Sequence, residues 1–161
     1  MKKFLKFNYI IALLGVINIL LFFTPCYEIK GKADDIYICW SNLFIATFGG
    51  HFNAELGFTL CNGLLVSFIF AIIAIILVTL KNKCKYAPLL AVPFFATSAV
   101  LTYASQIMMN YDNANVTMGT RFYFNVYPWT FVIASVFAAL AFFALLDFIA
   151  TVAKPKQQVT Y

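Results

Sequence analysis

Hydrophobic residues in this chain gather into four long runs that are separated by polar segments. A helix rises about 1.5 Å per residue, so about 20 apolar residues cross the hydrocarbon layer of a bilayer. Three runs reach that length, and the first does so only if Asn8 and Pro25 lie at the membrane edges. The pattern predicts a four-helix membrane bundle with transmembrane helices over residues 9–24, 60–80, 87–109 and 128–150.

The positions of the basic residues predict how these helices are oriented. Eight of the eleven Lys and Arg residues precede the first run, lie between the second and third, or follow the fourth. Short segments rich in Lys and Arg stay in the cytoplasm. Both termini are therefore expected inside, with outer segments 25–59 and 110–127, an inner segment 81–86 and a cytoplasmic tail 151–161.

Composition agrees with a single integral membrane domain of the all-α class. The chain is 63% hydrophobic and 11% charged, whereas about a quarter of the residues in a soluble domain are charged. The net charge of +5 comes from lysines at the ends of apolar runs, not from a basic face interleaved with aromatics. These features predict a lipid bilayer as the partner and exclude nucleic acid. The Lys, Asn and Phe residues around the short loops are typical of a bacterial plasma-membrane protein.

The first run has a second interpretation, as a cleaved signal peptide. Basic residues precede it and Thr24-Pro25-Cys26 follow it. A cleavage site needs small residues in an A-x-A pattern, and a proline directly before the cysteine fits neither that pattern nor a lipoprotein site. We expect the first helix to be retained; cleavage would leave three helices.

The first outer segment has a composition of its own. Residues 27–31 and 36–40 carry β-branched and aromatic residues on both sides of a polar centre, which predicts a small β-hairpin. Residues 43–48 are apolar but too short to span, and Gly49 and Gly50 follow them. We expect this stretch to lie on the outer leaflet or to cover the end of the bundle.

Small and polar residues recur at helical spacing in the last three runs. Helices in lipid associate through close packing and interhelical hydrogen bonds. We favour packing over a polar translocation path, because no ionisable residue lies at mid-depth with them. The packing candidates are Gly63, Ser67, Ala71, Ala134 and Ala138. The path candidates, on one face of the third helix, are Ser98, Thr102, Ser105 and Gln106.

Asp147 is the carboxylate that falls inside a predicted span. A charge at the centre of a membrane helix costs about 2.5–3.5 kcal/mol, so such residues are functional candidates. Asp147 lies near the inner end of its run, within reach of Lys6, Lys85 or Lys154. We favour an interfacial ion pair there, and the alternative is a site that couples transport to a proton or cation.

Three cysteines, Cys26, Cys39 and Cys61, belong to the outer side or its boundary. They permit one disulfide in any of three pairings, and a bond that involves Cys39 is favoured. Membrane thiol oxidases share this layout, but the close C-x-x-C pair that gives a reactive thiolate is missing. The single histidine, His51, cannot supply the three or four ligands of a zinc site. No metal or cofactor is predicted.

The layout resembles the claudin-type tetraspans: four spans, inside termini, and a long first outer segment that holds Trp40 and cysteines. The Gly-Leu-Trp motif of that family is not present, since Trp40 follows Cys39 directly. We expect a non-enzymatic accessory or assembly component that contacts a membrane-protein partner or a second copy through its helix seams and first outer segment. The alternatives are a small transporter or channel that uses the path candidates and Asp147, and a thiol oxidoreductase.

Overall fold

Helices dominate the computed structural model of the chain, which describes residues 7–31, 37–51, 57–58, 60–114, 122–126 and 128–153. The helices are α1 (Phe7–Leu20), α2 (Leu43–Phe48), α3 (Asn62–Thr79), α4 (Ala87–Tyr103), α5 (Ser105–Ala114) and α6 (Pro128–Val152). The strands are β1 (Pro25–Gly31), β2 (Tyr37–Asn42), β3 (Gly50–His51), β4 (Gly57–Phe58) and β5 (Phe122–Val126). Two 3-10 turns, Leu21–Phe23 and Leu80–Asn82, extend α1 and α3.

Two of these helices are long and apolar enough to cross a membrane. One is α3 with its 3-10 turn, 21 residues long, and the other is α6, with 25 residues. The stretch Phe7–Phe23 and helix α4 are apolar but shorter. The mostly helical fold predicted from the sequence is confirmed, and length and apolarity give two candidate membrane spans.

The third predicted helix is divided in two. The apolar run predicts one helix over 87–109, whereas α4 ends at Tyr103 and α5 begins at Ser105. Between them, the Ala104 N–H donates to the Val100 carbonyl (2.9 Å) and completes the last turn of α4. Helix α5 packs against β5. These contacts are with a distant strand, and the apolar pattern of the run does not encode them.

The four longest helices pack in a ring, in which α1 contacts α3, α3 contacts α4, α4 contacts α6, and α6 contacts α1. Small residues allow close approach of the helix backbones. At Gly15 of α1, for example, a Cβ would lie 2.7 Å from the Ile75 Cγ1 of α3. Larger apolar side chains fill the centre: Ile11, Phe22, Phe95, Ile133, Phe137 and Leu140 are all buried.

The outside of the ring carries many large apolar side chains. Large side chains are strongly exposed on its helices, among them Leu13 (53%), Val100 (64%) and Phe142 (57%). A helix that is hydrophobic all round belongs in a membrane or inside a larger apolar core. In water, an apolar surface of this extent would drive association.

A three-stranded antiparallel sheet with the order β2-β1-β5 lies at one end of the ring. The pairing of β1 with β2 confirms the predicted hairpin. The addition of β5 was not predicted: it pairs with β1 from Tyr27 opposite Val126 to Gly31 opposite Phe122. The two segments expected as separate outer loops therefore build one sheet.

Helix α2 follows the hairpin directly and lies on the end of the ring. The Asn42 side chain caps it by accepting from the Ile45 N–H (2.8 Å), and Gly49, with φ of 76°, ends it. Its buried face contacts α3, the 3-10 turn after α1, and β1. The short strands β3 and β4 form a separate two-stranded sheet after α2. We call β1, β2, β5 and α2 together the outer module.

Candidate functional site

Three hydroxyl side chains join α3 to α4 inside the ring. The Ser67 hydroxyl donates to the Ser98 carbonyl (3.1 Å) and lies 3.0 Å from the Thr102 hydroxyl. The Ser98 hydroxyl donates back to the Ser67 carbonyl (2.8 Å). All three side chains are fully buried. We call these three residues the hydroxyl seam. Their side chains place the polar face of α4 against α3, and their hydrogen bonds join the two helices.

The other two path candidates lie beyond the hydroxyl seam, at the start of α5. Ser105 is fully buried, and its hydroxyl makes no hydrogen bond to the described residues. It lies beside Tyr27 of β1. Burial raises the pKa of Tyr27 well above its usual range, and the Ser105 hydroxyl offsets only part of that rise. Gln106 is half-buried. The uncharged hydroxyls of Tyr27 and Ser105 therefore lie close together where the sheet contacts the ring.

The small residues predicted at helix seams lie in three kinds of place. Ala71 and Ala134 are buried among the helices, as is Ser67 of the hydroxyl seam. Gly63 lies against the Met108 side chain of α5, where any Cβ would overlap the sulfur. Ala138 is exposed in a shallow groove of about 270 Å³ between α4 and α6. Besides Ala134 and Ala138, the groove is lined by Ala99, Val100, Tyr103 and Ser135.

Asp147 of α6 is buried (4% exposed) and forms an ion pair with the Lys81 ammonium at 2.5 Å. The sequence pointed instead to Lys6, Lys85 or Lys154. Lys81 belongs to the 3-10 turn after α3, and this turn places its ammonium beside α6. Lys85 follows the turn and is exposed. Lys6 and Lys154 are outside the described residues. The second carboxylate oxygen, Oδ2, is buried and makes no hydrogen bond to the described residues.

The residues around this ion pair hold three chain segments together. The Asn82 side-chain amide donates to the Tyr9 hydroxyl at the start of α1 (3.2 Å). Lys81 binds α6 through Asp147, next to Asn82. The start of α1, the end of α6 and the connection from α3 to α4 therefore meet at one end. We call it the turn end, and it lies opposite the outer module.

Two asparagines fix α1 in the ring; the sequence placed Asn8 only at the membrane edge and assigned no role to Asn18. The Asn8 side-chain amide donates to the Val78 carbonyl of α3 (3.3 Å). The Asn18 amide donates to the Ile133 carbonyl of α6 (3.0 Å). Both side chains are 1% exposed. Asn18 gives a visible signal in the sequence, because an amide within an apolar run needs a hydrogen-bond partner in lipid.

The cysteines do not form a reactive pair in the described structure. Cys26 carries a free, fully buried thiol, and no disulfide joins it to the buried Cys61. Burial raises the pKa of the Cys26 thiol, although its contact with the Thr24 hydroxyl (3.7 Å) lowers it in part. The raised pKa opposes the thiolate that redox catalysis needs. Cys39 lies in β2 with its side chain outside the described residues, so a bond from Cys39 to Cys61 stays a prediction.

Neither metal-ligand geometry nor sequence comparison assigns a function. Within the described part of the chain, no three His, Cys, Asp or Glu side chains come together as metal ligands. No protein family and no curated protein matches the chain in sequence. The hydroxyl seam, the charged turn end and the outer module are the distinctive features of the described structure.

Proposed function

We propose that this chain is a multi-pass membrane protein whose four long helices cross the bilayer, with both termini in the cytoplasm. We further propose that it acts without catalysis, as an accessory or assembly component that binds a membrane-protein partner. The hydroxyl seam is the observation that carries this proposal. It makes the hydroxyls of Ser67, Ser98 and Thr102 part of the packing between α3 and α4.

The two ends of the ring support the proposed orientation. Lys81, Lys83 and Lys85 all belong to the turn end. The outer module, with Glu28 on its central strand, lies at the opposite end. Short basic connections stay in the cytoplasm, so the turn end is the inner one. Lipid would cover the apolar outside of the ring, which otherwise would stay exposed to water.

The lengths of the helices are compatible with a thin or locally thinned bilayer. At about 1.5 Å per residue, a helical stretch of 17 residues such as Ala87–Tyr103 reaches about 25 Å. A bilayer adapts to spans a few ångströms short at modest cost. The bonds of Asn8 and Asn18 to neighbouring helices further favour retention of α1 over its removal as a signal peptide.

The seam and the ion pair are far apart, which disfavours the alternative of a transporter or channel. Ser67 and Lys81 belong to the same continuous helical stretch, so about 20 Å separates them along its axis. Asp147, bound to Lys81, and Thr102 therefore do not form one compact site, which argues against a shared transport site. Liposome flux that depends on Ser98, Thr102 or Asp147 would support the transporter instead.

The outer module is the proposed contact surface for the partner. In its sheet, β2 and β5 flank β1, and each pairs with β1 alone among the described strands. An edge strand offers backbone groups to an extended segment of another protein. The buried side of the module is fixed to the ring, for example by the Thr130 hydroxyl, which donates to the Cys26 carbonyl (3.2 Å).

Site-specific photocrosslinking in intact membranes tests this function. A photoreactive residue replaces Phe48 of the outer module, which is 41% exposed, or Val16 on the lipid side of α1, which is 45% exposed. We expect an adduct of one defined mass from Phe48 and none from Val16, and co-purification of the same species after mild solubilisation. A chain that stays monomeric in several mild detergents and gives no adduct from Phe48 would contradict the proposal.

A further inference from the structure

The turn end presents two lysines that the ion pair does not use. Lys81 is neutralised by Asp147. Lys83 and Lys85 follow within four residues, are exposed, and face no carboxylate among the described residues. Lys85 places its ammonium 4.9 Å from the centre of the Tyr86 ring. The connection between α3 and α4 therefore carries two exposed positive charges that no carboxylate of the described residues pairs with.

The backbone of this connection is fixed in place. The Lys83 N–H donates to the Leu80 carbonyl (2.8 Å), and the Cys84 N–H donates to the same oxygen (2.9 Å). The Ala87 N–H then donates to the Cys84 carbonyl (3.1 Å) and leads into α4. Together with the bonds of the neighbouring Lys81 and Asn82 to α6 and α1, these bonds fix the backbone from which Lys83 and Lys85 extend.

Exposed apolar side chains border both sides of the lysine pair. Leu80 (37%) precedes it, and Tyr86 (50%) and Leu90 (52%) follow it at the start of α4. An anion bound to Lys83 and Lys85 would thus be next to a surface that is itself apolar. A molecule with a negative headgroup and apolar chains matches both halves of this surface, whereas a free inorganic anion matches only the charged half.

We propose that Lys83 and Lys85 bind the phosphate headgroup of an anionic phospholipid in the cytoplasmic leaflet, with its acyl chains against the apolar surface beside Leu80 and Leu90. This inference rests on the proposed membrane insertion and orientation. Each lysine near an anionic leaflet strengthens the attraction about fivefold, so the pair is expected to contribute about 25-fold. The binding is electrostatic and weakens as the salt concentration rises.

The test reconstitutes the full chain in nanodiscs of phosphatidylcholine that contain a minor fraction of phosphatidylglycerol. Lipids retained after extraction into neutral detergent are counted by native mass spectrometry. The wild type is compared with Lys83→Gln/Lys85→Gln and with the charge-matched control Lys30→Gln/Lys32→Gln from the outer segment. We expect the wild type and the control to retain phosphatidylglycerol over phosphatidylcholine, and the Lys83/Lys85 variant to lose about 25-fold of that preference.

Equal retention by the wild type and the Lys83/Lys85 variant would overturn the site, and so would an equal loss in the control. Inorganic phosphate is added as a competitor at the same concentration as the lipid. Displacement by phosphate would show a general anion site and overturn the lipid assignment. Resistance of each variant to alkaline carbonate extraction is measured in parallel. A carbonate-resistant protein without lipid preference refutes only this inference, whereas extraction of the wild type refutes the proposed membrane insertion.

Discussion

Removal of one hydroxyl, in Ser67→Ala, is predicted to destabilise the ring by about 1–2 kcal/mol. The substitution deletes the donor to the Ser98 carbonyl (3.1 Å) and the contact with the Thr102 hydroxyl (3.0 Å). Interhelical hydrogen bonds in membrane proteins contribute about 0.6 kcal/mol on average and about 1.7 at most. Two lost bonds give the predicted range, and the upper end applies because Thr102 is fully buried and keeps an unpaired hydroxyl.

The matched control is Thr79→Ala on the same helix. Its hydroxyl donates to the Ile76 carbonyl one turn earlier (2.7 Å), so its loss affects no other helix, and the change should stay within about 0.5 kcal/mol. Unfolding is followed in bicelles by SDS titration, with tryptophan fluorescence as the signal. A double-mutant cycle of Ser67→Ala with Thr102→Val should give a coupling of about 0.6 kcal/mol.

Equal stability of Ser67→Ala and the wild type, or strict additivity with Thr102→Val, would refute the packing role of the hydroxyl seam. A second readout separates packing from passage. The same variants in liposomes should leave ion and small-solute flux unchanged. A flux that changes while the stability does not would mean that the hydroxyls line a path.

Three further substitutions or conditions test other parts of the structure. Asp147→Asn should cost about 1–2 kcal/mol, less than the roughly 3–5 of a fully buried pair, because the partly exposed Lys81 can turn toward water; unchanged SDS resistance would contradict the ion pair. Gly15→Val should cost about 1–3 kcal/mol by overpacking against Ile75, and Ile75→Ala should restore part of it; no rescue would place the clash elsewhere. Burial raises the pKa of the Cys26 thiol, so its contribution to the free energy of unfolding should be constant below the ordinary thiol pKa and fall as the pH rises above it. This loss of stability should be smaller in Cys26→Ala. An equal loss in that variant would assign it to another group.

The helices and the hairpin could be predicted because their signals are local. Apolar length sets the bounds of α3 and α6, and β-branched and aromatic residues on both sides of a polar turn set β1 and β2. The short apolar stretch of α2 was recognised as unable to span. Each of these elements depends on residues that are neighbours in the chain.

The features that were missed depend on contacts between distant segments. Strand β5 pairs with a strand almost a hundred residues earlier, and no local pattern in its five residues encodes that partner. Lys81 was assigned to a loop, although a 3-10 turn brings it to Asp147 on another helix. Asn18 could have been recognised as a buried polar group in an apolar run, but its acceptor on α6 could not. Such partners become visible only once the helices are packed.

Sidedness of the exposed thiol Cys84 tests the central claim most directly, namely that the turn end lies in the cytoplasm and the outer module outside. In a Cys39→Ala background, Cys26 and Cys61 are buried, so Cys84 is the thiol that an impermeant maleimide is expected to reach. We predict that intact cells leave Cys84 unlabelled, that opened cells label it, and that Cys84→Ser abolishes this signal. A cysteine in place of Phe48 should be labelled on intact cells. Labelling of Cys84 from outside intact cells would contradict the proposed topology.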